Sequence, residues 1–240
     1  MEEAERLRQG LWERLSAERQ EDRRPRLTHR RIAEAAFEIA DTEGLDAVTM
    51  RRVAKELGAA TMSLYRYVES KEELHELLLD EAVGRMGLPE RRTGDWRADL
   101  RELAVRQLAE FRRRPWIITL QSATPTFGPN TLQTSEYAMS LLDGLGFTID
   151  EMMQIFNLVR AHVTSLVRAE RQVEAALQRA GLDEEQWQAA HAPYLRELMS
   201  SGRYPYLERI IAEAEHLPVD TAFEFGLEIL LDGVAARLSR

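Results

Sequence analysis

The chain has 240 residues, 44% of them hydrophobic, and a formal net charge of −9; that is enough apolar material for a sizeable core, most simply in two helical parts. It contains no cysteine, which excludes disulfides, zinc fingers and thiol nucleophiles together and suits a reducing cytoplasm. No apolar run nears the ~20 residues of a membrane span, MEEAERLRQGLWERL lacks an apolar signal core, and alternating Val and Ile runs are missing, so the expectation is an all-α, soluble, cytoplasmic protein without membrane partners.

Residues 1–22 are polar and helix-prone, with a weak apolar stripe of Leu7, Leu11, Trp12 and Leu15, and read as an extension. A basic arm comes next, which Pro25 keeps out of helix. It is either a solvated linker or an arm whose Arg24 and Arg26 track phosphates or the minor groove. Thr28 is placed to cap a helix with Ile32, Ala36, Ile39 and Ala40 inward and Phe37 beside them, ending at Gly44. Thr49 caps the next, with Val53, Ala54 and Leu57 at helical spacing up to Gly58. A second compact helix starts at Thr61 and carries Leu64 and Val68 inward, and Ala54 is small enough to let the two cross closely. Helix, glycine-containing turn and helix match the DNA-binding helix-turn-helix. Thr61, Met62, Ser63, Tyr65, Arg66 and Tyr67 are left facing outward, a mix suited to base edges and phosphates.

Ser70 to Glu73 form an S-x-x-E capping box that opens a fourth helix, with Leu74, Leu77, Leu78 and Val83 on its apolar face. It leaves the helix-turn-helix directly and is the natural link to the C-terminal part of the chain. Between Arg23 and Lys71 ten basic residues face seven acidic ones, a local balance of +3 that leaves −12 for the remainder. Screening limits exposed charges to about 8–10 Å, so the local balance governs phosphate contact and the acidic total does not forbid DNA binding.

The loop from Gly87 to Asp95 divides the chain into an extension and arm (1–26), a DNA-binding domain with its connecting helix (27–86) and a larger helical domain (95–240). In the last, helices are predicted over Trp96–Arg114, Leu132–Leu145, from the Thr148–Glu151 capping box to Ala180, from Asp183 to a break at Gly202 and Pro205, over Tyr206–His216, and over Val219–Leu238. Trp116–Ser122 is a short apolar piece, and Pro125, Gly128 and Pro129 are read as a loop.

The segment LTHRRIAEAAFEIADTEGLDAVTMRRVAKELGAATMSLYRYVESKEELHELLLDE, Leu27 to Glu81, with its Leu-Tyr-Arg-Tyr-Val and following Ser-Lys, resembles the tetracycline-repressor (TetR) family of bacterial transcription regulators. The resemblance covers about a quarter of the chain closely and the rest in layout. It implies a three-helix DNA-binding domain and a ligand-binding, dimerising body. It implies too a homodimer on a palindromic double-stranded DNA operator and a small-molecule site in each body. By position, Thr49 and Arg51 would meet phosphates; Thr61, Met62 and Ser63 would face bases or nearby backbone; Tyr65 and Tyr67 would bond phosphates; Lys71 would add charge. For the two tyrosines the alternative is packing onto their own domain. Met62 offers no hydrogen bond, so it reads only by apolar contact, for example with a thymine methyl, and specificity moves towards DNA shape.

Two half-sites one DNA turn apart require a dimer. The long helix (Met152, Phe156, Val163) and the last helix (Phe223, Leu227, Leu230, Leu231, Val234) are the candidate interface, with Ala222 and Gly226 allowing close approach; plain core is the alternative. Apolar walls with a few polar groups make a ligand site, and the candidates are Phe111, Trp116, Gln121, Phe127, Tyr137, Phe156, Arg160 and His162. Arg160 interrupts an apolar run and suits an anionic group or an intersubunit carboxylate. Structural filler is an equal reading for each of these. The expected function is a ligand-responsive repressor released by a largely apolar small molecule, with no catalytic residue, metal or cofactor. The competing enzyme reading, a diiron-carboxylate bundle, rests on the Glu-x-x-His pairs Glu72/His75 and Glu213/His216; a helical protein-binding scaffold leaves the helix-turn-helix unexplained.

Overall fold

The computed structural model describes residues 11–12, 27–121, 127–199, 202–214 and 218–238. Arg24 and Arg26 of the arm, and His216, lie outside them. The described residues hold helices and no strand: α1 His29–Glu43, α2 Met50–Glu56, α3 Thr61–Leu64, α4 Lys71–Met86, α5 Trp96–Arg113, α6 Trp116–Gln121, α7 Pro129–Leu142, α8 Ile149–Ala180, α9 Glu184–Met199, α10 Pro205–Glu213 and α11 Val219–Leu238. No helix among them is long and apolar enough to cross a membrane.

Short hydroxyl and carboxylate side chains start several of these helices. The Thr28 hydroxyl accepts the Arg31 N–H and the Thr49 hydroxyl the Arg52 N–H, each at 3.1 Å, satisfying donors a helix start leaves open. At α8 the capping box closes both ways. Glu151 accepts the Thr148 N–H at 3.0 Å, and the Thr148 hydroxyl accepts the Glu151 N–H at 3.3 Å. Several boundaries differ from expectation, and α3 ends at Leu64, before Val68. Pro129 begins α7 instead of preceding it, because proline lacks only an N–H that has no partner in the first turn anyway. The same holds for Pro205 at α10.

Packing divides the chain into two compact units, Met1–Phe156 and Asn157–Arg240. In the first, α1 buries Ile32, Ala36, Phe37 and Ile39, and α4 buries Leu74, Leu77, Leu78 and Leu79. Helix α4 packs on α1 and also on α6 and α7. The Gly87–Asp95 loop therefore interrupts the secondary structure without separating the packing. The Phe37 ring is central to this region: Arg85 lies 3.9 Å above it, Arg114 at 4.8 Å, and Trp116 meets it edge-on at 5.6 Å. Arg114, buried, donates to Asp41 of α1 at 2.6 and 3.0 Å and to Glu110 of α5. In the second unit Val163, Val167, Phe223, Leu227 and Leu231 are buried.

Arg114→Met should lose charge-assisted bonds worth about 1–3 kcal/mol, a fall in Tm of several degrees for a chain of this size. Thermal unfolding followed by circular dichroism checks this; an unchanged Tm would mean that Arg114 does not hold α1 in place.

Candidate nucleic-acid interface

Helix α3 is only one turn long, and a helix that short has no stability of its own. Its position is imposed from outside. Leu64 and Val68 are fully buried, as are Val53 and Ala54 of α2. Gly58, at φ 62°, turns the chain between the two helices, and the Ala59 N–H donates to the Ala54 carbonyl at 2.9 Å. Beyond α3, the Tyr67 N–H returns to the Leu64 carbonyl at 2.9 Å. The Tyr67 carbonyl then lies 2.9 Å from His29 Nε2, and the two rings meet edge-on at 5.4 Å. This ties the end of the recognition turn to the start of α1.

That pinning decides which side chains face solvent. Met62 is 76% exposed, Tyr65 and Arg66 are exposed, and Thr61, Ser63 and Tyr67 are half-buried. Tyr67 combines packing with partial exposure, whereas Tyr65 is the freer of the two. Thr49 is exposed; its oxygen is occupied as a cap acceptor, which leaves its hydroxyl proton to donate to a phosphate. Arg51 and Lys71 are exposed as well. Arg52 differs. It is gripped by Glu43 and Glu56, whose hydrogen bonds hold its pKa above the ordinary guanidinium range, so it serves the fold. Lys71 opens α4, where the Ser70 hydroxyl accepts the Glu73 N–H at 3.1 Å and Glu73 accepts the Glu69 N–H at 2.8 Å.

The ligand candidates are dispersed in their surroundings. Phe111 is fully buried; Gln121 and Phe156 are half-buried; Phe127 and Arg160 are exposed. Trp116 and Tyr137 are half-buried, and the Trp116 Nε1 and Tyr137 hydroxyl are buried atoms without a hydrogen-bond partner among the described residues. Burial pushes the Tyr137 pKa up, and the nearby Asp99 and Glu102 add to the shift. His162 Nε2 lies 3.0 Å from the Phe223 carbonyl and its ring stacks on Phe223, so it holds α8 to α11. Of the interface candidates, Met152, Val163, Phe223, Leu227, Leu231 and Val234 are buried within the single chain, and Phe156 and Leu230 are half-buried. The same two helices leave Met153, Leu158, Phe225 and Ile229 exposed.

Two polar residues that pattern reading passed over carry structural weight. Arg114 is one. The other is Asp80, 3% exposed, whose carboxylate takes hydrogen bonds from Asn130 and Thr131. Its signal in the sequence is an acid interrupting the apolar run of α4. His75, read from the sequence in a Glu-x-x-His pair, has its pKa lowered by burial and then by Lys71, and its Nε2 finds no partner among the described residues. Among the described residues, no three His, Cys, Asp or Glu side chains group closely enough to hold a metal ion.

A one-turn helix pinned across a second helix, with hydroxyls, phenols and cations outward and a helical body behind it, defines a helix-turn-helix DNA-binding regulator. Residues 32–78 match the model for bacterial regulatory proteins of the tetR family, and residues 88–238 match that for the tetracyclin repressor-like C-terminal domain. The HTH-type transcriptional repressor DrrR1 of Streptomyces coeruleorubidus is 37% identical over 88% of this chain and 78% of its own. Apo ActR from Streptomyces coelicolor superposes with a TM-score of 0.73 at 28% identity, over 90% of this chain and 99% of that one. ActR in complex with actinorhodin gives the same TM-score and identity over 89% and 99%. The chain belongs to the TetR family, and it is a DNA-binding transcriptional regulator.

Lys71→Ala should weaken DNA binding about equally on all sequences and reduce the slope of log affinity against log salt by roughly one contact. Met62→Ala should leave that slope unchanged and relax preference at one base pair by about 1 kcal/mol. Fluorescence-anisotropy titrations at several salt concentrations distinguish the two; a salt slope untouched by Lys71→Ala would remove that residue from the interface.

Proposed function

We propose that the chain is a repressor that works in the cytoplasm as a homodimer, binds a palindromic operator, and is released by a largely apolar small molecule. Residues 27–86 act as the DNA-binding domain and 95–240 as the ligand-binding and dimerising body, with residues 1–26 as extension and arm. The observation that carries the reading is the exposed Met62, Tyr65 and Arg66 face on a turn whose inward residues, Leu64 and Val68, are buried. The pinned turn presents one reading surface per chain, and a palindrome requires two, one DNA turn apart.

The second copy is supported by α8 and α11. Each buries one apolar face and leaves apolar residues outward, Met153 and Leu158 on one and Phe225 and Ile229 on the other. Such stripes on adjoining helices suit a symmetric helix-bundle contact. The effector is supported by the unpartnered Trp116 Nε1 and Tyr137 hydroxyl. Buried donors without partners are what a ligand's acceptors would satisfy. ActR, the similar protein, is bound by actinorhodin in its solved complex, which makes that compound a sensible first probe. Linkage requires that an effector which weakens DNA binding be weakened by DNA to the same factor.

Selection from random duplexes with the purified protein should return an inverted repeat, and sedimentation should show a dimer. A selected site without repeat, bound by a monomer, would contradict the reading. A compound that releases this DNA should act on Trp116→Phe and Tyr137→Phe only at several-fold higher concentration, the effect of one lost hydrogen bond. Unchanged release by both variants would move the effector site elsewhere.

A further inference from the structure

Asp80 lies on α4 in the run Leu77-Leu78-Leu79-Asp80-Glu81-Ala82-Val83 and is buried with most of its neighbours. Its Oδ1 accepts the Thr131 backbone N–H at 2.9 Å and the Thr131 hydroxyl at 3.0 Å. Its Oδ2 accepts the Asn130 side-chain amide at 2.9 Å and the Asn130 backbone N–H at 3.3 Å. The same amide also donates to the Asp80 carbonyl at 3.1 Å. Pro129 has no N–H, so Asn130 and Thr131 supply the first open donors of α7, and the cap position is Gly128, which has no side chain to satisfy them. The cap of α7 therefore comes from α4. A carboxylate suits that helix end electrostatically as well.

The approach is close on both sides. A Cβ on Gly128 would overlap the Asp80 carboxylate and stand 2.6 Å from the Trp12 ring; a Cβ on Gly84 would stand 2.7 Å from the Asn130 amide. Glycine at both positions lets α4 meet α7 at one tightly defined point. That point is ten residues along from the Ser70 cap, about 15 Å of helix, and Ser70 comes directly after the recognition turn. A change of tilt at Asp80 is carried along a rigid rod to the DNA-reading end.

We propose that Asp80 is a positioning residue for operator recognition: by capping α7 from α4 it fixes the attitude of the recognition helix and so the half-site spacing the protein accepts. This rests on the homodimer-on-palindrome reading. One base pair inserted between half-sites moves them about 3.4 Å apart and rotates one by roughly 35°. A dimer with fixed recognition helices rejects such a site, and one with loosened α4 helices tolerates it. Asp80→Asn puts an amide donor where four donors already converge.

The test uses the full-length protein and two duplexes, the inverted repeat it selects from random DNA and the same repeat with one base pair inserted at its centre. The ratio of the two affinities is the readout. Asp80→Asn should lower that ratio by roughly tenfold. Tyr65→Phe should weaken both duplexes together and leave the ratio intact. If Asp80→Asn does not fold at the assay temperature, Asn130→Ala, which removes only the amide's bonds, should lower the ratio in the same direction. A wild-type ratio in folded Asp80→Asn or Asn130→Ala, whatever happens to Tm, overturns the proposal while leaving the dimer reading intact. A wild-type protein that selects no inverted repeat overturns both.

Discussion

The recognition helix is too short to hold itself, and the rest of the DNA-binding region is arranged around that constraint. Nucleating a single turn costs more than its few hydrogen bonds return, so α3 exists because Leu64 and Val68 are buried and because His29 holds the carbonyl at its far end. The benefit is a surface of fixed shape. Met62, Tyr65 and Arg66 stand out because the other side of the turn is committed to packing.

Helix α4 extends this dependence into the body. It begins at a cap next to the recognition turn, packs on α1, and then packs on α6 and α7. Arg85 and Arg114 add charged contacts around Phe37, with Arg114 joining α1 to the end of α5. Any change in α6 or α7 thus acts on a helix whose other end sets the reading surface. Such a continuous packed connection is a physical path along which coupling between two sites can run. A family whose DNA affinity answers to a bound molecule has in this connection a direct route for the coupling.

Much of the fold is legible in the chain because its signals are local. Thr28, Thr49, Ser70 and Thr148 mark helix starts by chemistry that works within four residues, and the structure uses each of them. The recognition turn is legible for the same reason, with Gly58 and the spacing of Leu64 and Val68 sufficient. The start of α7 is not, because Pro129 reads equally as a breaker and as a first helical residue, and only its neighbours in space decide. Asp80 is illegible as a cap, since its partners lie fifty residues away and no periodicity links them. The stripes on α8 and α11 show a further limit. Helical spacing marks a residue as apolar-facing but does not distinguish the chain's own core, which takes Phe223 and Leu227, from a partner's surface, which would take Phe225 and Ile229.

The proposed DNA-reading surface runs from Thr61 to Lys71. Amide hydrogen exchange of the full chain, with and without the duplex it selects, tests it most directly. DNA should slow exchange in the Thr61–Lys71 segment and at the start of α2, and leave the amides of α9 and α10 unaffected. Slowed exchange confined to α9, α10 or α11, with Thr61–Lys71 unchanged, would contradict it.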